Sequence, residues 1–267
     1  MEDKSHIQLN NMLYSCVDEK QRGNEQFVPE HALGYIISGE AHLQTNHGLM
    51  VLKAGTIGLI RRNQLVKSVK VPSPGGEFKS INIFLDQDFL RRYSAENKLP
   101  KAEKYTGDPM RLLPDDPFIE GYFNSLIPYF DQARLLQSTM AELKTREAVE
   151  LILKLDPDFH DFLFDFSEPY KIDLEAYMNQ NYMYNVPVIQ FAKLTGRSLA
   201  SFKRDFEKVF QAPPGQWLQQ KRLSEAYYLI REKGRKPSDV YLDVGFENLS
   251  HFSYTFKKSF GVAPSML

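Results

Sequence analysis

The chain has 267 residues, 42% of them hydrophobic and 13% aromatic, which is enough to bury one large core or two ordinary ones. That composition excludes a disordered chain, a collagen repeat and a disulfide scaffold. Its 33 Lys+Arg and 34 Asp+Glu leave a formal net charge of -1, which argues, over the whole chain, against a protein dedicated to nucleic acid.

The single cysteine, Cys16, can form neither an intramolecular disulfide nor a thiolate metal site, and reads as a small half-buried hydrophobe in a reducing compartment. No apolar run approaches the roughly 18 residues that span a bilayer, and the polar, mixed-charge residues 1–10 do not read as a signal peptide. The expectation is a soluble cytoplasmic protein without a membrane partner.

In chain order, short apolar stretches at residues 31–38, 41–45, 49–52, 58–60, 65–71 and 78–85 are punctuated by turns. These turns are Ser38-Gly39-Glu40, Asn46-His47-Gly48 and Pro72-Ser73-Pro74-Gly75-Gly76. Many short strands joined by tight turns predict an antiparallel β-barrel or jelly roll over residues 1–92. Asp86 and Asp88 read as the end of a strand, and residues 98–117 as a loop.

Helical spacing follows over residues 116–136 and 138–155, the second with apolar Leu143, Ala148, Leu151, Ile152 and Leu155 and with Ser138 or Thr139 placed to cap it. Asp156-Pro157 ends this helix, and residues 157–169 read as a linker. Residues 93–166 are thus expected to form a helical hairpin and linker, with a homodimer contact as one use of its amphipathic faces and packing on its own barrel as the other.

The charge is unevenly distributed. Residues 168–267 carry 14 Lys+Arg against 10 Asp+Glu, a balance of +4, while the remainder carries 19 against 24, a balance of -5. Within the basic part, two segments about 50 residues apart share one plan. The first is residues 188–196 followed by residues 198–210, with Leu199, Phe202, Phe206 and Val209 on one stripe; the second is residues 240–246 followed by residues 248–260, with Phe252, Phe256 and Phe260.

Each reads as a short helix, a glycine turn and an amphipathic helix. Gly196 and Gly245 stand where a helix-turn-helix needs positive φ, and Ser198 and Asn248 where the next helix needs an N-cap. The polar face of the first amphipathic helix offers Ser198, Ser201, Lys203, Arg204 and Lys208; that of the second offers Ser250, His251, Tyr254, Lys257 and Lys258. Such side chains can meet phosphates and base edges in a major groove, and two copies can enter successive grooves roughly 34 Å apart. Trp217, which begins the segment joining the two copies, is expected in the core.

Residues 240–265, with Val244-Gly245-Phe246, His251-Phe252-Ser253, Thr255-Phe256-Lys257-Lys258 and Phe260-Gly261-Val262-Ala263-Pro264-Ser265, resemble the C-terminal signature of the AraC/XylS transcription regulators. Residues 199–210, Pro214 and residues 217–226 resemble the family's first motif and connecting helix. The resemblance implies an all-α domain over residues 167–267, sequence-specific binding of promoter DNA, and in most cases activation through RNA polymerase. Carried over by position, it implies that Ala200, Lys203 and Arg204 face bases from the first motif and Leu249, Ser250 and Tyr254 from the second. Tyr254 stands where the family often has arginine, and Tyr241 where it usually has alanine. Both departures predict a second motif that reads bases weakly.

The strand-rich half resembles, through residues 34–40 and 52–60, the cupin-like effector domain of the same family, which implies control by a small molecule or a protein partner. An alternative is a cupin-like binding protein or enzyme with a helical appendage. His31, His42 and His47 lack the close spacing of a cupin metal site, and no Ser/His/Asp or Cys/His arrangement, Walker-type glycine loop or dinucleotide fingerprint is recognisable, so no metal, cofactor or catalytic residue is expected. His42 and His47 read as polar surface, and His31 with Glu30 as a candidate pocket lining. The sequence does not identify the effector site.

Overall fold

The computed structural model describes residues 6–23, 26–45, 48–131 and 137–267, and the chain divides into two compact units, residues 1–167 and 168–267. The fold class is α+β: an antiparallel β-rich unit with helices, then an all-α unit.

Among the described residues, the first unit opens with strands β1 (His6–Leu9), β2 (Met12–Val17), β3 (Gln21–Arg22), β4 (Phe27–Val28), β5 (His31–Ser38) and β6 (Glu40–Thr45). It continues with β7 (Gly48–Lys53), β8 (Ile57–Ile60), β9 (Gln64–Leu65), β10 (Lys67–Val71) and β11 (Phe78–Leu85). After helix α1 (Gln87–Glu96) a short β12 (Met110–Leu112) follows. One sheet runs β1-β2-β11-β5-β8-β12 and a second runs β3-β10-β6-β7, with β4 and β9 paired separately. The barrel expected from the sequence is therefore not closed; two open antiparallel sheets face each other, a cupin-like arrangement.

Strand alternation decides what lies on each face of the larger sheet. Met12, Leu33, Tyr35, Ile57, Leu59, Ile81, Ile83 and Leu85 point to one side, where they pack with α1 and with α2 (Pro117–Asp131), α3 (Ser138–Leu155) and α4 (Phe159–Phe164). Val17, Ile36 and Phe78 point to the other and form a smaller core with Ala41, Leu43 and Leu52 of the second sheet. The same alternation puts Phe78 of β11 in one core and Ile81 in the other, while opposite Lys79 and Ser80 the register shifts because β5 steps from Ser38 to Ile36.

Several details depart from the sequence reading. The sheet begins with the hairpin β1–β2, whose turn uses Asn10 at φ 53. Asp86 is the N-cap of α1, its Oδ1 accepting from the Phe89 N–H at 2.7 Å, so this carboxylate starts a helix. Residues 159–164, read as linker, form α4, whose Phe159, Phe162, Leu163 and Phe164 are all buried. Neither Ser138 nor Thr139 caps α3: Gln137 holds that position without a side-chain bond. Leu143, placed on the buried stripe, is 54% exposed. The end of the expected helix over residues 132–136 and the turn residues Asn46 and His47 lie outside the described residues.

Three further residues singled out in this half are placed as follows. His42 is half-exposed and hydrogen-bonds Glu40 at 2.9 Å. Cys16 is half-buried, with Sγ 3.3 Å from Glu77 Oε1. His31 is fully buried against the Phe162 ring.

The second unit comprises α5 (Leu174–Asn181), α6 (Val188–Leu194), α7 (Leu199–Phe210), α8 (Pro214–Arg231), α9 (Pro237–Asp243), α10 (Leu249–Phe260) and a closing 3₁₀ turn, Pro264–Met266. Pro214 begins α8 where its missing N–H costs nothing. Leu223, Ala226 and Ile230 of α8 pack with Val240, Val244, Phe246, Phe252 and Phe256 around the second motif. Trp217 meets Phe206 and Phe210 of the first at ring separations of 5.5 Å and 4.4 Å, the packing role expected for it.

Candidate nucleic-acid interface

Two helix pairs, α6–α7 and α9–α10, repeat one design. In each the turn glycine is left-handed, Gly196 at φ 65 and Gly245 at φ 97. The next helix is capped from the side chain: Ser198 Oγ accepts from the Ser201 N–H at 3.2 Å, and Asn248 Oδ1 from the His251 N–H at 3.0 Å. Both glycines do more than turn. A Cβ on Gly196 would stand 2.2 Å from the Tyr170 carbonyl carbon, and one on Gly245 would stand 2.7 Å from the Met183 carbonyl oxygen. Periodicity announces the turn; the close approach comes from residues distant in sequence.

Helices α7 and α10 each run 12 residues and are two-faced. On α7, Phe202 and Phe206 are buried, while Ala200, Lys203, Arg204 and Lys208 are exposed along with the cap Ser198, and Ser201 is half-exposed. Val209, expected on the apolar stripe, is 42% exposed; Phe210 packs in its place against Phe206. On α10, Phe252, Thr255 and Phe256 are buried, while Leu249, Ser250, His251, Tyr254, Lys257 and Lys258 are exposed. The structure thus gathers the residues chosen from the sequence onto the outward faces of two matched helices. Tyr254 is 69% exposed, so its hydroxyl is accessible from solvent.

Tyr241, which stands where the family usually has alanine, packs against the core of the second motif. Its ring is half-buried at the edge of the second motif's core, 6.5 Å from the Phe252 ring.

Asp205 is the carboxylate of α7 that ties the helix to neighbouring cations. Asp205 Oδ2 lies 3.1 Å from Lys171 Nζ and 3.2 Å from Arg197 Nε, and these hydrogen bonds hold its carboxyl below the usual range. Arg197 also donates to the carbonyls of Ile172 (3.0 Å) and Thr195 (2.7 Å), tying the turn to the chain before α5. Arg204 only brushes this cluster, at 3.9 Å from Asp205 Oδ1 and with its side chain 66% exposed, so its guanidinium is available to a ligand.

Two arginines that the sequence reading passed over are structural members of this unit, Arg197 and Arg222. Arg222 had a legible signal: it falls on the buried stripe of α8, four residues after Leu218 and four before Ala226. Burial pushes its pKa down to about 10, which leaves it charged at neutral pH.

Comparison with known proteins agrees with this geometry. Residues 191–267 match a family described as a helix-turn-helix domain, and residues 31–162 match the ExsA N-terminal regulatory domain. The chain is 21% identical over 252 residues to the virulence regulon transcriptional activator VirF of Yersinia enterocolitica, covering 89% of this chain and 90% of that protein. It is 22% identical over 240 residues to the HTH-type transcriptional regulator ExsA of Pseudomonas aeruginosa, covering 88% and 85%. Among solved structures it is similar to an apo ToxT variant of Vibrio cholerae, with TM-score 0.49 and 13% identity over 97% of this chain and 98% of that one. With the tandem motif in its last hundred residues and a regulatory-domain match ahead of it, the chain is a DNA-binding transcription regulator with an AraC-type helix-turn-helix domain.

Proposed function

We propose that this protein is a transcription activator that reads promoter DNA with α7 and α10 in successive major grooves. The observation that carries this reading is the matched exposure of Lys203, Arg204 and Lys208 on α7 and of Ser250, His251, Tyr254, Lys257 and Lys258 on α10, each helix anchored by buried phenylalanines. Arg204 and Lys203 suit the O6/N7 edge of guanine, whereas Lys208 and Lys257, near the helix ends, suit phosphates. Ala200 and Leu249 suit contact with a thymine methyl. The 18 residues of α8 span about 27 Å at 1.5 Å per residue, a strut of the right order for two grooves one turn apart.

Activation is inferred from the likeness to VirF, a virulence regulon transcriptional activator, and contact with RNA polymerase is inferred from that role. The N-terminal unit serves regulation, through a small molecule or a protein, rather than catalysis; its match to a regulatory domain supports this. A homodimer through α2 and α3 is supported by the exposed apolar Phe118 (74%) and Leu143 (54%). Sedimentation that finds only monomer across micromolar concentrations removes the dimer.

Titrating a fluorescent promoter fragment with the purified protein at several salt concentrations tests the DNA-binding reading. Affinity should fall linearly on a log–log plot, with a slope that reports the phosphates contacted. Salt-independent binding contradicts it.

A further inference from the structure

We infer that Arg222 is the positioning residue that holds the second helix-turn-helix in fixed register with the first, and so sets the spacing of the DNA site this protein accepts. The inference rests on the two-groove reading for its consequence on DNA, but its structural content stands on contacts within the second unit.

The Arg222 guanidinium spreads its donors over three carbonyls on two different motifs. Nε donates to Tyr182 O at 2.7 Å and Nη2 to Tyr184 O at 2.8 Å, both in the turn that leads into α6. Nη1 donates to Gly245 O at 3.1 Å, in the turn between α9 and α10. A planar group with donors fixed in a fork can satisfy three divergent acceptors only in one relative placement of the segments that carry them.

The same seam is closed by two further contacts. The missing side chain of Gly245 admits the Met183 carbonyl, which would stand 2.7 Å from a Cβ there. Asn185 Nδ2 donates to Glu247 Oε1 at 2.5 Å. Without this seam the motifs would be joined mainly through α8, whose single helix fixes their separation but leaves the second core free to pivot about it. The charge of Arg222 is retained in a half-buried place on the α8 stripe because its hydrogen bonds cross between motifs, where an aliphatic residue could only fill volume.

The test measures the distance between the recognition helices in the full chain without DNA. In a Cys16→Ser background, spin labels at Glu207→Cys on α7 and Ser259→Cys on α10 should give one narrow distance distribution. Arg222→Gln should broaden it while helix content by circular dichroism stays that of the parent. Arg222→Lys, which keeps the charge but has no fork, should broaden it as well, and it provides the reading if Arg222→Gln does not fold.

Parental width in a folded Arg222 variant overturns the inference, as does a broad distribution in the parent itself. Sites selected from random duplexes then separate the two readings. A parent that selects only one half-site defeats the two-groove reading and leaves the positioning result intact. A parent that selects two half-sites at one spacing, with Arg222→Lys selecting the same half-sites at mixed spacings, supports both.

Discussion

The Arg61 guanidinium meets the Asp165 carboxylate at 2.5 Å, with Asp165 only 6% exposed, and so ties the end of β8 to the segment just after α4. Asp165 also accepts from the backbone N–H groups of Tyr105 (3.1 Å) and Ser167 (3.0 Å). Arg62 donates to the carbonyls of Asp165 (3.2 Å) and Ser167 (2.6 Å). The last residues of the N-terminal unit are therefore bound back onto its sheet.

Removing the carboxylate leaves a mostly buried guanidinium without its anion. Asp165→Ala should destabilise the N-terminal unit by about 3–5 kcal/mol, read as a lowered denaturation midpoint with the second unit's transition unchanged. Asp165→Asn, which can still accept from Tyr105 and Ser167, should cost less. Equal costs for the two would place the effect in the lost charge and contradict a role for the bonds accepted from Tyr105 and Ser167.

His31 lies in the same cluster, its Nδ1 3.4 Å from the Arg62 backbone N–H. Burial, with the Arg61 and Arg62 charges adding to it, lowers its pKa to about 3, so the folded protein holds it neutral. Because the unfolded chain takes up the proton near pH 6.5, this contribution is whole above that pH. It is lost at up to about 1.4 kcal/mol per unit as pH falls toward 3. Thermal melts of the N-terminal unit should show this slope between pH 6 and 4, reduced in His31→Leu. An unchanged slope in that variant assigns the acid sensitivity to other groups.

Three glycines at positive φ should respond differently to alanine. Gly261 (φ 77) has open space where a Cβ would go, so Gly261→Ala carries only the left-handed strain of about 1–2 kcal/mol. Gly196→Ala adds a clash with the backbone of Tyr170 and Lys171, and Gly245→Ala one with Met183 and Arg222. Both should lower the melting temperature of the second unit well below that of Gly261→Ala.

On DNA, Arg204→Ala should cost roughly 1–3 kcal/mol and relax preference at one base position. Lys257→Ala should weaken all sequences alike and reduce the salt slope by about 1. Binding assays on the preferred duplex and its single-base variants distinguish the two. A Lys257→Ala protein with altered base preference would move that lysine from phosphate to base.

The second unit was readable because its signals are local. Gly196 with Ser198, and Gly245 with Asn248, mark a turn and a cap a few residues apart, and the phenylalanine stripes carry the helical period. The first unit was less readable. Its opening hairpin pairs a short, half-polar β1 with the mostly apolar Met12–Val17 through an Asn10-Asn11 turn that is a weak local signal, and α1 is short and follows β11 after Asp86 alone. Buried Phe162 and Phe164 gave the look of an apolar linker, since what buries them is contributed by the sheet and by α1. The seam around Arg222 joins residues 182–185 to residues 245–247, and nothing in local spacing signals that meeting beyond a charge on a buried stripe.

Hydroxyl-radical footprinting of the full protein on its selected duplex tests the central claim most directly. Two helices in successive major grooves predict two protected tracts on one face of the DNA, centred about 10 base pairs apart, with Arg204→Ala weakening one and leaving the other. A single protected tract, or two that weaken together in that variant, would contradict the account.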